Sequence, residues 1–452
     1  MTNKILSFMI SIALALGLTL SLSSCGGVFG AGAMLPGGML GGGTSDGGDT
    51  SGDDSENNST GNVSGGGDID DGDGGNTGNT GDEDEGDDKI EFIPGVSDEA
   101  AEADKLTSAQ RALLSTVIVH SNFEVYNGYT YHTETVRGAG VIYTLDRAAG
   151  DAVIITNYHV VYYKEALGEN KTSEDIDIYL YGMEAEQYKV KATFIGGSLT
   201  EDIAVLKISG SEVIKNSCAV SVKIGDSSSL SVTDKVLAVG NPEGDGISAT
   251  SGIVSMNDET ITMIGADGRT SINLRVLRID SAINQGNSGG GLYDEDGNLV
   301  GIVNAKKTGS DIDNIAWALP INRVKNLVDN MLDHCDGDTV TTTKKAQIGV
   351  TLYAAALGVR VDSESGDIRR YEVVEVLEVS DTCIIPDEIK VGDRILYTIV
   401  DGVRLDADRV HMVIDHLLTA RVGSVLVIGG ERDGVAFEIT INITEDHFVT
   451  IS

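Results

Sequence analysis

The sequence predicts a mainly β protein in which two folded domains follow a disordered N-terminal segment. Short runs rich in Val, Ile and Leu alternate with Gly, Asp and Asn between residues 117 and 303, which is typical of a β-barrel or a β-sandwich. Residues 252–256 and 261–264 are two of these predicted strands. A helical pattern with Val324, Leu327 and Val328 on one face begins at Pro320. A second set of such runs, with one helix, lies between residues 349 and 443. Residues 25–104 are rich in Gly, Asp, Ser and Asn and contain too few apolar side chains to form a core.

The first 24 residues have the features of an export signal. Lys4 precedes an apolar stretch over residues 5–22, and the small residues Ser23 and Ser24 precede Cys25. An uncleaved membrane anchor is the alternative, because the stretch is nearly long enough to span a bilayer. The residues Leu-Ser-Ser-Cys resemble a bacterial lipobox, which implies cleavage before Cys25 and acylation of that cysteine. Both the uncleaved anchor and the lipobox place the remaining chain outside the cytoplasm. The lipobox makes the protein a membrane-anchored lipoprotein.

Residues 25–104 are predicted to be a flexible tether. Residues 26–88 contain 15 acidic and no basic residues, and a chain of this length and composition reaches about 50 Å on average. The formal net charge of the whole protein is −38. This charge argues against a nucleic-acid partner, because phosphate binding requires clustered Lys and Arg.

No metal or cofactor site is predicted. The cysteines Cys25, Cys218, Cys335 and Cys383 form no C-x-x-C pair, and the Asp-Gly runs of the tether lack the ligand spacing of a calcium-binding loop. If Cys25 is acylated, the other three allow at most one disulfide. No phosphate-binding Gly-Lys-Ser/Thr loop occurs, so nothing in the sequence indicates ATP use.

Three positions in the first domain are candidates for acyl-transfer chemistry. His159 follows a predicted strand, Asp202 opens another, and Ser288 lies in the Gly-rich run 286–290. Acyl transfer needs a hydroxyl, an imidazole that removes its proton and a carboxylate that orients the imidazole. Each residue alone is more often structural. The chain order His, Asp, Ser in an all-β domain is that of trypsin-like enzymes and differs from the order in α/β-hydrolases and subtilisins.

The residues that flank these positions resemble the trypsin-like domain of the HtrA (Deg) family of serine proteases over about 200 residues. The matching blocks are 138–141, 156–161, 202–207, 225–227, 238–242, 252–255, 280–290 and 318–322. The resemblance implies a double β-barrel protease domain over residues 105–335. Relatives in this family are often trimers, so the resemblance makes a homotrimer one possible assembly.

The resemblance assigns a role to each candidate. His159 is the expected general base, Asp202 the acid that orients it, and Ser288 the nucleophile. The oxyanion hole is expected at residues 286–288, with the backbone N–H groups of Gly286 and Ser288 as donors and Asn287 between them. Gly291 stands where the family usually has Pro and is expected to loosen the turn. Activity is therefore expected to depend on a switch.

The specificity pocket is expected to be apolar. Trypsin has an Asp six residues before its nucleophile, whereas this chain has Ala282 there, followed by Ile283. We therefore expect cleavage after Val, Ala, Leu or similar residues.

Residues 336–345 are predicted to be a linker, and residues 346–452 a second domain with five strands and one helix. The runs 390–395 (Lys-Val-Gly-Asp-Arg-Ile) and 400–402 (Val-Asp-Gly) resemble the core of a PDZ domain. Such domains bind the C-terminus of a peptide as an added strand. The resemblance places the loop for the peptide carboxylate at Gln347, Ile348 and Gly349. The alternative is a β-rich domain that serves only packing or assembly.

These features together predict an extracytoplasmic, ATP-independent serine endopeptidase that cleaves misfolded or signalling proteins. Its expected partners are unfolded or partly folded protein substrates, peptide C-termini at the PDZ-like domain, and the membrane through the lipid anchor. The competing hypothesis is a surface lipoprotein that holds client proteins without cleaving them.

Overall fold

The structure is a computed structural model that describes residues 106–306, 315–335, 343–361 and 368–451. The predicted signal (1–24), the acylation site Cys25 and the predicted tether (25–104) lie outside the described residues. No helix within the described ranges is both long enough and apolar enough to cross a membrane.

The first half of the protease-like region forms a closed six-stranded barrel. Its strands follow the order β1-β2-β3-β6-β5-β4, and β4 pairs with β1 to close the ring. Apolar residues of these strands, such as Val117, Val119, Ile154 and Leu206, are fully buried in its centre. The strands are β1 (Thr116–Tyr126), β2 (Tyr131–Asp146), β3 (Asp151–Thr156), β4 (Asp175–Leu180), β5 (Val190–Ser198) and β6 (Ile203–Ile208).

The second half forms another six-stranded ring. Strand β11 pairs with both β8 and β12, which closes the order β8-β9-β10-β13-β12-β11, and β7 adds to β12 in parallel. Two barrels in this order confirm the predicted mainly β, trypsin-like fold class. The strands are β7 (Lys223–Ile224), β8 (Lys235–Gly240), β9 (Ser248–Ile264), β10 (Ser271–Ile279), β11 (Gly291–Tyr293), β12 (Asn298–Lys306) and β13 (Ala316–Pro320).

Within the described residues, four α-helices accompany the barrels. They are α1 (Ser108–Leu114), α2 (Tyr158–Val161), α3 (Glu212–Lys215) and α4 (Ile321–Asp333). The predicted helix after Pro320 is α4, and its buried residues Val324, Val328 and Met331 belong to the same apolar cluster as the second barrel. This packing is the reason that the 3.6-residue periodicity was visible in the sequence.

The C-terminal region (residues 343–451) has a core of its own. A five-stranded sheet has the order β15-β16-β17-β19-β20, with β18 paired to β17, while β14 pairs with β21. Helix α5 (Val410–Leu417) contacts β15 and β17. The strands are β14 (Thr343–Ala346), β15 (Val350–Val361), β16 (Ile368–Val379), β17 (Arg394–Val400), β18 (Val403–Asp406), β19 (Val425–Arg432), β20 (Val435–Asn442) and β21 (Phe448–Ile451).

The sequence signals of this region correspond to tight turns and a buried ion pair. Asp401 and Gly402 have φ values of 50° and 84°, as the two-residue hairpin between β17 and β18 requires. Asp393, fully buried, accepts two hydrogen bonds from the guanidinium of Arg432, at 2.6 and 2.7 Å. The Gly-Asp signature at residues 392–393 is therefore structural in this chain.

Candidate active site

His159 lies on the four-residue helix α2, directly after strand β3. The helix is anchored by Val160 and Val161, which are buried in the first barrel. Val160 contacts β2 so closely that a Cβ at Gly138 would lie 2.7 Å from its methyl groups. The small residue at 138 therefore lets α2 approach the barrel and fixes where the imidazole of His159 projects.

Asp202 is the closest polar partner of His159. The Nδ1 atom of His159 lies 2.8 Å from Oδ2 of Asp202, and the backbone N–H of His159 donates to Oδ1 at 3.0 Å. Asp202 is buried and has a left-handed backbone with φ of 51°. Its carbonyl accepts a 2.9 Å hydrogen bond from the side-chain amide of Asn157, which helps to hold this unfavourable conformation.

The pKa of His159 is raised above its ordinary value of 6.5 by the environment of the ring. Burial alone lowers the pKa, but the negative charge of Asp202 and the hydrogen bond to it outweigh that effect. The protonated imidazole is therefore stabilised by Asp202, which is the property required of a base that accepts a proton during a reaction.

Asn304 on strand β12 joins Asp202 to Ser288. Its side-chain amide donates to Oδ2 of Asp202 at 2.6 Å, and its backbone carbonyl accepts the hydroxyl of Ser288 at 2.8 Å. Among the described residues this is the only hydrogen bond of the Ser288 hydroxyl, and none joins Ser288 to His159. The fold thus brings His159, Asp202 and Ser288 into one site, with the hydroxyl turned to a backbone acceptor.

The turn that carries Ser288 packs closely against the first barrel. The N–H of Ala139 on β2 donates to the carbonyl of Ser288 at 2.8 Å. A Cβ at Gly289, where φ is 88°, would lie 2.1 Å from the carbonyl oxygen of Ala139. Glycine at 289 is therefore required by both backbone conformation and close approach.

The predicted oxyanion-hole residues differ in how their amides are used. Within the described part of the chain, the N–H groups of Gly286 and Ser288 donate no hydrogen bond, whereas that of Asn287 donates to the carbonyl of Asn284 at 3.1 Å. Gly286 has φ of 96°, and a Cβ there would lie 2.1 Å from the carbonyl oxygen of Asn241. Two amides remain available for a developing negative charge.

The predicted specificity residues have different environments. Ala282 is exposed, and its carbonyl accepts a 3.1 Å hydrogen bond from the hydroxyl of Thr250. Ile283 is buried in an apolar cluster of the second barrel, together with Leu277 and Leu292. Ile283 therefore supports the site from within the barrel, and Ala282 is the member of the pair that faces solvent.

Asn157 and Asn304 contact Asp202 but were not predicted to be site residues. Asn157 lies in the matching block 156–161, but its hydrogen bond to Asp202 has no signature in a single sequence. Asn304 is a fully buried polar residue in the apolar run of β12. A buried polar side chain in a central strand is the signal that would have identified it.

The predicted carboxylate loop immediately precedes β15, a strand at the edge of the C-terminal sheet. The carbonyl groups of Ile348 and Gly349 accept from the N–H groups of Ile384 and Ser380, at 3.1 and 2.9 Å. The N–H of Gln347 donates to a carbonyl at 2.8 Å, whereas within the described ranges the N–H groups of Ile348 and Gly349 donate to none. Consecutive unpaired backbone amides are the kind of donor that binds an anion.

Among the residues that the structure describes, no group of three His, Cys, Asp or Glu side chains is placed to hold a metal ion. Cys218, Cys335 and Cys383 form no disulfide bond with one another.

Comparison with known proteins agrees with this geometry. A family model described as a trypsin-like peptidase domain matches residues 138–302. The chain is 39% identical over 202 residues to the serine protease Do-like HtrA of Bacillus subtilis, covering 44% of this chain and 40% of that protein. It is 32% identical over 285 residues to the serine protease Do-like HtrB of the same organism, covering 57% of each.

A third relative matches a longer part of this chain. The periplasmic serine endoprotease DegP of Escherichia coli is 29% identical over 317 residues, which is 68% of this chain and 57% of that protein. The matches to these three relatives thus span 40–57% of their lengths.

The fold and the matched model define the class, because residues 138–302 form a trypsin-like peptidase domain. Within that class the chain is similar to serine proteases of the HtrA and DegP type, and this similarity supports the predicted relationship.

Proposed function

We propose that this chain is an ATP-independent, extracytoplasmic serine endopeptidase of the HtrA type that uses His159, Asp202 and Ser288. The observation that carries the proposal is the double role of Asn304, which contacts the carboxylate of Asp202 and the hydroxyl of Ser288. A single buried residue therefore ties the acid and the nucleophile into the site that also contains the imidazole.

The proposed reaction begins with a rotation of the Ser288 side chain. The hydroxyl leaves the carbonyl of Asn304 and turns to Nε2 of His159, while Nδ1 remains hydrogen-bonded to Asp202. As Oγ attacks the substrate carbonyl, His159 takes the hydroxyl proton and later gives it to the leaving amine. The resulting acyl-enzyme is hydrolysed by water through the same base.

The negative charge of the tetrahedral intermediate is proposed to be stabilised by two backbone amides. The N–H groups of Gly286 and Ser288 are the candidates, since neither has an acceptor in the described chain. Removing one such donor in related chemistry costs about 10²–10³-fold in rate. The amide of Asn287 is proposed to act only in shaping the turn.

Covalent labelling tests the proposal. A fluorophosphonate probe is expected to label the wild-type protein, and Ser288→Ala is expected to abolish both labelling and casein digestion. Absence of labelling in freshly folded wild type would reject the enzyme and leave the competing proposal of a client-holding protein. A circular-dichroism spectrum of Ser288→Ala serves as the control for folding.

The proposed substrate preference is for small or medium apolar residues before the scissile bond. It rests on Ala282, the exposed residue at the position where trypsin carries its Asp. A peptide library cut mainly after Val, Ala or Leu supports the preference. A profile dominated by Arg or Lys contradicts it.

We also propose that the C-terminal region is a PDZ-like domain that binds peptide C-termini to recruit substrate or regulate activity. The support is the edge strand β15, preceded by the unpaired amides of Ile348 and Gly349. A peptide added to this edge would place its terminal carboxylate at those amides. Fluorescence anisotropy is expected to detect binding of an apolar peptide that has a free C-terminus. The same peptide with an amidated terminus is the control, and equal binding of both contradicts the assignment.

The remaining proposals concern location and assembly. Acylation of Cys25 and a homotrimer rest on the sequence analysis and on the HtrA resemblance. Mass spectrometry of the mature N-terminus in wild type and Cys25→Ser tests the first. Native mass of residues 105–452 tests the second.

A further inference from the structure

The ion pairs Glu201–Arg323 and Arg323–Asp415 connect the residue before Asp202 to helix α5 of the C-terminal region. The guanidinium of Arg323, on α4, donates to both carboxylate oxygens of Glu201, at 2.8 and 2.6 Å. Its third nitrogen donates to Oδ1 of Asp415 on α5. The other oxygen of Asp415 accepts from Arg275 on β10 at 3.2 Å. Arg323 therefore bridges two carboxylates that belong to different parts of the fold.

This cluster is shielded from solvent. The side chains of Arg323, Glu201 and Asp415 are 22%, 13% and 10% exposed. Burial alone lowers the pKa of Arg323, but the charges of Glu201 and Asp415 outweigh it and raise the pKa above its ordinary value. In such surroundings the loss of one partner leaves an uncompensated charge, so the three groups hold one another in place.

The position of Glu201 in the chain connects this cluster to the chemistry. Glu201 immediately precedes Asp202, whose backbone is left-handed. A non-glycine residue is kept in this conformation only when its surroundings fix it firmly. On one side Asn157 holds the carbonyl of Asp202, and on the other Arg323 holds the side chain of Glu201 with a two-pronged hydrogen bond that is geometrically specific.

We propose that Arg323 is a positioning residue that fixes the Glu201–Asp202 turn and makes its geometry depend on Asp415 of helix α5. Arg323 acts through Asp202 and is not itself in contact with reacting atoms. The inference rests on the proposed function, in which Asp202 orients His159. The orientation of Asp202 therefore depends on contacts from the protease-like barrels and also on a contact from the C-terminal region.

Three isosteric or near-isosteric changes test the inference in the full-length protein: Glu201→Gln, Arg323→Gln and Asp415→Asn. Each is expected to lower kcat on a chromogenic peptide by about tenfold, the scale of a small misplacement of a catalytic group. The KM is expected to stay within about twofold, because none of the three lies in the proposed substrate site. Arg323→Lys, which keeps the charge but loses the fork, is expected to recover part of the activity.

The chain offers a matched control in Arg421→Gln. Arg421 of the C-terminal region pairs with Asp333 at the end of the same helix α4, at 2.7 Å. That ion pair also links α4 to the C-terminal region but does not touch Glu201. If the role of Arg323 were only to attach the C-terminal region, Arg421→Gln would lower kcat equally, and the inference would be wrong.

A double-mutant cycle tests the coupling itself. If Glu201 and Asp415 act through one guanidinium, the double variant is expected to lose about tenfold in kcat rather than about a hundredfold, because the two effects are not additive. Additive losses, or wild-type kcat in all three single variants, overturn the inference. Thermal melting curves identify any variant that fails to fold, and in that case Arg323→Lys and Asp415→Asn carry the test.

Failure of the proposed function has a different signature. A wild-type protein that neither reacts with a fluorophosphonate nor digests casein rejects the enzyme itself. A wild-type protein that reacts, beside variants that react at the same rate, rejects only the role of Arg323.

Discussion

The candidate active site and the candidate peptide-carboxylate loop are built in different ways. At the active site, side chains from three distant parts of the chain meet, and buried amides of Asn157 and Asn304 hold the carboxylic acid residue. At the loop before β15, the groups proposed to face a ligand are the backbone amides of Ile348 and Gly349. The first site depends on which side chains are present, whereas the second depends on the backbone path, so substitutions are expected to affect them differently.

The largest loss of activity is expected from Asp202→Asn, which changes the site that is built from side chains. The variant keeps the shape of the side chain but loses the charge that orients His159, so kcat is expected to fall by about 10⁴-fold. In wild type, kcat/KM is expected to rise with pH through a value above 6.5, because the base must be neutral and Asp202 raises its pKa. Steady-state kinetics over pH measure both effects. If kcat/KM of the wild type instead rose with a midpoint well below pH 6.5, the assignment of His159 as the base would be contradicted.

A smaller loss is expected from Asn304→Ala. This change removes the 2.6 Å hydrogen bond to Asp202 but leaves the backbone carbonyl that accepts from Ser288. The expected loss is about tenfold in kcat, the cost of one misaligned partner. Asn304→Ser, which keeps a donor, is the control and is expected to lose less. Equal activity of the alanine variant and wild type would show that Asp202 needs no such support.

The backbone-built loop is expected to respond to Gly349→Ala through stability. Gly349 has φ of 84°, and a Cβ there would lie 2.5 Å from Cα of Cys383. We expect a loss of about 2 kcal/mol in the unfolding free energy of the C-terminal region, from backbone strain and the clash. Urea denaturation followed by hydrogen exchange of strands β15 and β16 measures it. Unchanged protection would mean that the loop relaxes freely.

The smallest effect is expected from Gln347→Ala. The side chain of Gln347 is exposed, and its backbone N–H donates to the carbonyl of His447, which alanine preserves. Peptide affinity is expected to stay within about twofold, because surface substitutions away from special features usually change little. A large loss of binding would show that a side chain, not the backbone, recognises the carboxylate.

The sequence predicted the fold class, and it singled out three residues that the structure brings together, for physical reasons. His159, Asp202 and Ser288 are reactive residue types in a recognisable order, and the barrel strands repeat apolar residues with a short period. The two barrels confirmed the class, and helix α4 was found where its apolar stripe predicted it. Strand boundaries were less accurate, since the predicted strands at 252–256 and 261–264 are parts of one strand, β9.

Other features were not readable from one sequence, because they arise from contacts between distant segments. The short strands β7, β11 and β13 have too few residues to show a period. The bond from Asn304 to Asp202 spans 102 positions, and that from Arg323 to Asp415 spans 92. Such pairs become visible only when the barrels and the C-terminal region are folded together.

The contact between Gly291 and Tyr293 has a consequence for which substitutions this chain tolerates. Gly291 was expected to loosen the turn, but a Cβ there would lie 2.4 Å from the ring of Tyr293. That ring is fully buried, and its hydroxyl forms 3.0 Å hydrogen bonds with Ser115 and Thr116 at the start of the first barrel. The missing side chain at 291 and the large one at 293 therefore form a matched pair. A Cβ at 291 requires a smaller residue at 293 or a displaced ring, so substitutions at the two positions are expected to be tolerated together rather than singly.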